Sequence, residues 1–233
     1  MPLPGRLRGT LEFPPELASA PEIARNALDV LRRGLGPLPW PCLHLLIEPQ
    51  RCDHGYEKGY ALVYQSGLWC RAQLRPGSAS GTPHERACAV ELIVHEILHH
   101  MLEFDTPPGH ALTEGLITFL ARRLVAEAGH AGPRWLDALA GKAQRDLRRW
   151  HLQGMTLGTA SRRFFSAESA RRVAYRKGFL LMREIDKDLG GRLPALCRRL
   201  AARSALTGAR LTEARFVAAL PRRARARYQA ATG

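Results

Sequence analysis

The stretch Val94-His95-Glu96-Ile97-Leu98-His99-His100 sets histidines and a glutamate inside an apolar run. On a helix, His95 and His99 stand four residues apart and project from one face, about 40° from each other. Two imidazoles so placed can ligate one tetrahedral metal ion. Glu96, beside the first histidine, can reach a metal-bound water without being a ligand. This H-E-x-x-H spacing suits zinc, which lowers the pKa of its bound water toward about 7. The glutamate accepts the proton as that water attacks a carbonyl. The competing reading is a chance match on a core helix. Leu92, Ile93, Val94, Ile97, Leu98, Met101 and Leu102 surround the motif, so the helix must be buried on most sides. Burying two imidazoles and a carboxylate without partners is costly, and a metal satisfies all three at once.

A third ligand is offered by Glu114 in His110-Ala-Leu-Thr-Glu-Gly, with 14 residues between it and His99. A loop that doubles back could bring this carboxylate to the zinc and leave one coordination position open for water. Its other reading is a first-turn glutamate that interacts with the helix dipole. Asp105 competes for the role, six residues after His99. That position resembles the last ligand of the metzincin pattern H-E-x-x-H-x-x-G-x-x-H/D, which needs a glycine to break the helix, whereas this chain has Leu102 there, so Glu114 is favoured over Asp105. His100 points about 100° away from the ligand face and reads as a supporting or surface residue. His110 could line the cleft or be a solvated loop histidine. Thr118, one turn after Glu114 on the same helix face, could orient a ligand.

These side chains must be positioned by a small set of elements. Arg6 to Phe13 reads as a strand, and Leu17, Ala24, Leu28, Leu31 and Leu35 recur at helical spacing. Three short apolar runs follow, CLHLLIE, YALVYQ and LWCRAQL, separated by turn-rich pieces. They predict a small, twisted, mostly antiparallel sheet. Thr82, Pro83 and Glu85 form an N-cap, a first-position proline and a capping-box glutamate. One helix should run from there to about Phe104. Beyond it the chain reads as helices near 111–129, 133–152, 167–189, 193–205 and 212–219. The expectation is an N-terminal α+β lobe, residues 1–104, ending in the H-E-x-x-H helix, and a helical lobe, residues 105–233. Together they would form one catalytic unit with zinc in the cleft.

His95-Glu-Ile-Leu-His99, then Leu112-Thr-Glu-Gly115 on the next helix, then VAYRKGFLLMREI further on resemble three motifs of the gluzincin zinc metallopeptidases, the thermolysin-like superfamily. The nearest likeness is to the aminopeptidase N family and its relatives. The resemblance spans about residues 85 to 190. It implies a zincin-like α+β fold, zinc held by His95, His99 and Glu114, and hydrolysis of peptide bonds with Glu96 as general base and proton shuttle. It maps the family's oxyanion-binding tyrosine to Tyr175, with Lys177 and Gly178 completing that motif. Tyr175 as an ordinary buried tyrosine is the other reading. The His99–Glu114 spacer is shorter than in that family, and no counterpart of its G-x-M-E-N strand is found. Aminopeptidase specificity is therefore not carried over. The superfamily pattern also implies that an edge strand, residues 68 to 74, pairs with an extended peptide or protein substrate.

The 233 residues carry a net charge of +14. Four lysines, at 58, 142, 177 and 187, leave 31 arginines among the 35 basic residues. Such a surface could attract nucleic acid, anionic membrane or acidic substrates, or simply reflect compositional bias. The alternative function is therefore a zincin-fold binding or regulatory module that contacts nucleic acid or a partner protein without hydrolysis. The tail PRRARARYQAATG is the best candidate for such contacts and otherwise reads as a frayed end. Five cysteines, none spaced C-x-x-C, read as free thiols, with a bridge among Cys42, Cys52 and Cys70 not indicated. No apolar run reaches the roughly 18 residues that cross a bilayer, and no leader is evident, so a cytoplasmic chain is expected.

Overall fold

A computed structural model describes residues 8–38, 42–49, 58–64, 67–74, 81–102, 110–207 and 211–232. Strand β1 (Arg8–Glu12) is followed by a single 3-10 turn (Pro15–Leu17) and helix α1 (Ala20–Leu35). Then come β2 (Cys42–Pro49), β3 (Lys58–Tyr64) and β4 (Gly67–Leu74). The remaining elements are helical: α2 (Pro83–Leu102), α3 (His110–Glu127), α4 (Trp135–Arg149), α5 (Leu157–Arg163), α6 (Glu168–Asp188), α7 (Leu193–Thr207), α8 (Glu213–Ala219) and α9 (Arg222–Thr232).

The sheet corrects the expectation of mostly antiparallel pairing. Its order is β1-β2-β4-β3; β1, β2 and β4 run parallel to one another, and β3 alone is antiparallel, against β4. A parallel pair needs a crossover of a dozen or more residues, and α1 supplies one between β1 and β2. Strand β4 then inserts between β2 and β3. The strand at 68–74 is therefore interior, hydrogen-bonded on both sides, and not the edge expected of it; the edges are β1 and β3.

The chain divides into two compact units, Met1–Met101 with Leu124–Gly132, and Leu102–Arg123 with Pro133–Gly233. In the first, β2 alternates buried and half-buried residues, with Leu43, Leu45 and Ile47 inward. Leu68, Cys70, Ala72 and Leu74 of β4 are buried likewise, as are Ile23, Ala27, Leu28 and Leu31 of α1. On the other face of the sheet the cross-strand partners His44 and Trp69 stack, with ring centroids 4.3 Å apart. Gly34 of α1 lies directly against Leu124 at the end of α3, where an added Cβ would sit 2.3 Å from Leu124 Cδ2.

In the second unit α6 is the central helix, burying Val173, Ala174, Gly178, Phe179, Met182 and Ile185. It packs on α4, α5 and α9. Arg176 pairs with Asp146 of α4 at 3.0 Å, and Arg183 pairs with Asp137. The C-terminal stretch, expected to fray, is instead helix α9. Tyr228 is 2% exposed and donates to Glu213 at 2.7 Å, while Arg223 and Arg227 both pair with Asp188 at the end of α6. The arginines of the tail are thus partly used within the fold. Helix α5, also not anticipated, is capped by Thr156, whose hydroxyl accepts from Thr159 N at 3.1 Å. Among the described residues no helix is long and apolar enough to cross a membrane.

Candidate metal centre

Helix α2 begins where its sequence says it should. Thr82 N donates to Glu85 Oε2 at 2.7 Å, and Glu85 N donates to Thr82 Oγ1 at 3.3 Å, a reciprocal capping box. From that start the helix continues for 20 residues without a breaker, so His95 and His99 lie one turn apart on one face. Their Nε2 atoms are 3.1 Å apart and their ring planes are inclined at 75°. Two nitrogens bound about 2.05 Å from one tetrahedral zinc would lie roughly 3.3 Å from each other. The pair is therefore close to the spacing that a shared ion requires.

The apolar residues beside the motif, Ile93, Val94, Ile97 and Leu98, are fully buried, and His95 and Glu96 are buried with them. On α3, Glu114 is 6% exposed. One ligand atom from each of His95, His99 and Glu114 can be chosen so that all lie within 4.8 Å of one another. Two imidazole nitrogens and a carboxylate oxygen are a ligand set that zinc favours, and three protein ligands leave a tetrahedral position open. The donor chemistry and the spacing of the histidine pair fit a metal ion, with the Glu114 carboxylate within 4.8 Å of both.

Glu96 lies near β4: the thiol of Cys70 is pushed well above its ordinary range by burial first and by the Glu96 charge second. Thr118 is buried on α3, and its hydroxyl makes no hydrogen bond among the described residues. His100 is half-buried, next to His99 on α2. Asp105 and Cys52 lie outside the described residues. His110 opens α3, but its side chain is not among those described.

Tyr175 is half-buried on α6, and the two residues that accompany it have clear structural partners. Lys177 Nζ donates to the carbonyls of Gln153 and Met155 at 3.1 and 3.0 Å. At Gly178 an added Cβ would lie 2.7 Å from Gly115 Cα and 3.0 Å from Ala111 O; one at Gly115 would lie 2.4 Å from Gly178 Cα. The backbones of α3 and α6 touch at this point. The crossing continues through Phe119 and Phe179, with ring centroids 6.1 Å apart, and Arg122, whose guanidinium lies 4.8 Å from the Phe179 ring centroid. Sequence reading treated both glycines only as motif letters. Their signal was present, because glycine inside a helix is unfavourable by about 1 kcal/mol relative to alanine and calls for a local reason.

No protein-family model matches the chain, and no curated protein matches it. The crystal structure of an M1 zinc metallopeptidase from Deinococcus radiodurans superimposes with a TM-score of 0.60 at 14% sequence identity, over 97% of this chain and 48% of that one. The chain thus spans about half the length of that protein, and at this identity the likeness is one of fold.

Proposed function

We propose that this chain is a zinc-dependent peptidase of gluzincin type, in which residues 1–104 and 105–233 act as one catalytic unit. The observation that carries the reading is that ligand atoms of His95, His99 and Glu114, the first and last of them buried, lie within 4.8 Å of one another. The likeness in fold to a solved zinc metallopeptidase supports it. His95, His99 and Glu114 would hold the metal. When bound, zinc supplies Lewis acidity to a water molecule and to the scissile carbonyl. Glu96, adjacent to a ligand yet outside the ligand set, takes the proton of the attacking water and delivers it to the leaving amine. Its burial among aliphatic side chains keeps competing water away from that carboxylate. Tyr175 donates its hydroxyl proton in a hydrogen bond to the oxyanion of the tetrahedral intermediate. The substrate is a peptide or protein.

The test is Glu96→Gln on protein purified without a metal-affinity step. Elemental analysis should give one zinc per chain in both forms. Turnover of a peptide library should fall by about 10²–10⁴-fold in the variant. Undiminished hydrolysis by Glu96→Gln, or a parent protein that takes up no zinc, would overturn the reading.

A further inference from the structure

We infer that Gly178 and Lys177 are positioning residues, which set the depth and rotation of α6 and so place the Tyr175 hydroxyl for the reaction. This rests on the peptidase reading above and adds to it the device that holds the oxyanion donor. Ordinary helix pairs are kept 8–10 Å apart by the side chains between them. At Gly115 and Gly178 nothing intervenes, because a Cβ on either would overlap the backbone of the other helix. The contact lies one residue beyond Glu114 on α3 and one turn beyond Tyr175 on α6. Tyr175 and Gly178, three residues apart, share a face of α6. The close approach therefore brings the tyrosine's helix up to the helix of the carboxylate ligand at the level of both side chains.

The glycine contact sets the distance between α3 and α6, and Lys177 adds to the packing on α4, α5 and α9 that fixes the rotation of α6 about its own axis. Lys177 lies about 100° round the helix from Gly178 and is tied to two carbonyls of the segment between α4 and α5, Gln153 O and Met155 O. One residue thus sets distance and its neighbour helps to set rotation. For a Cβ at position 178 to reach ordinary van der Waals distance from Gly115 Cα, now 2.7 Å away, the helices must part by about 1 Å. A displacement on the order of 1 Å at a reacting group can cost about 100-fold in rate.

The experiment is a double-mutant cycle on the zinc-loaded protein, with kcat and KM measured for the parent, Gly178→Ala, Tyr175→Phe and the double variant. Gly178→Ala should lower kcat about 100-fold with KM and zinc content near those of the parent. In the Tyr175→Phe background the same alanine should cost less than about threefold, because the group it displaces is already gone. Lys177→Met, which adds no bulk, is the companion should Gly178→Ala fail to fold, and its loss should vanish in the same background. Gly141→Ala, whose Cβ would meet only the mobile tip of Arg145, is the control and should leave kcat unchanged. If the losses from Gly178→Ala and Lys177→Met persist in full without the tyrosine hydroxyl, or if both fall on KM or zinc content instead, the positioning role is refuted. An unchanged rate in Tyr175→Phe alone would refute instead the assignment of the tyrosine, and with it this inference.

Discussion

Replacing Glu114 with glutamine should separate binding from stability in opposite directions. The parent carboxyl is 6% exposed, and glutamine replaces it at equal size with a group that cannot ionise. Without metal, Glu114→Gln should be no less stable than the parent, because burying a carboxylate opposes folding. With metal the order reverses. A ligand that binds only the folded state stabilises it by about 2.7 kcal/mol when its free concentration is 100 times its Kd. For a chain of this length that is a rise in Tm of about 5–11 °C. Loss of a supporting group around a metal ligand already weakens binding about 10–100-fold, so loss of one of three ligands should weaken it by at least the upper figure. At the same free zinc the variant should then gain only about 0.4 kcal/mol, near 1 °C. The assay is differential scanning calorimetry of both proteins with chelator and with buffered free zinc. A zinc-induced rise that survives Glu114→Gln would remove Glu114 from the ligand set. A metal-free variant destabilised by more than about 2 kcal/mol would show that the carboxylate serves the fold and not a metal.

Two further outcomes concern the helical unit. Tyr228→Phe should lower stability by about 1.5 kcal/mol in urea unfolding, since it deletes a hydrogen bond to the Glu213 carboxylate; a change below about 0.5 kcal/mol would mean that the bond contributes little. The Asp188 carboxyl is held below its ordinary range, chiefly by the hydrogen bond from Arg227, with Arg223 adding its charge. A depressed folded-state value means that its contribution is complete above the ordinary carboxyl value of about 3.9 and is lost as pH falls through the lower one. The stability difference between the parent and Asp188→Asn should therefore be constant from pH 7 to about 5 and shrink in stronger acid; a difference that grows on acidification would contradict the pairing.

Much of the candidate metal centre was legible because its signals are local. Thr82 and Glu85 announce the start of α2, and the aliphatic run fixes it as a buried helix, so the facing of His95 and His99 follows from spacing alone. Glu114 could be nominated from its residue type, although its approach depends on a turn that spacing does not specify. The sheet was less legible for a physical reason. Alternation in CLHLLIE identifies a strand with one buried face, but the pattern is the same whichever way its neighbour runs. Direction was decided by α1, which carries the chain back so that β2 starts at the same end as β1. The tail misled because its arginines outnumber its two buried anchors, Ala224 and Tyr228. Their acidic partners, Asp188 and Glu213, sit on other helices, where no local pattern reveals the pairing. The touching glycines likewise belong to two helices, and neither sequence context shows the other.

The order β1-β2-β4-β3 also has a kinetic meaning. β3 and β4 are sequence neighbours, and a hairpin of this kind closes in about 1–10 μs. The ladder between β2 and β4 joins strands separated by β3, and that between β1 and β2 must wait for the whole of α1. Loop-closure entropy precedes the reward of these parallel contacts, so they form late and slowly. Until they do, the chain presents an unpaired β2 with three aliphatic residues of its inner face open to other chains. The interior place of β4, which denies that strand to a substrate in the finished protein, is thus also what makes the sheet the slow and aggregation-exposed step of its own assembly.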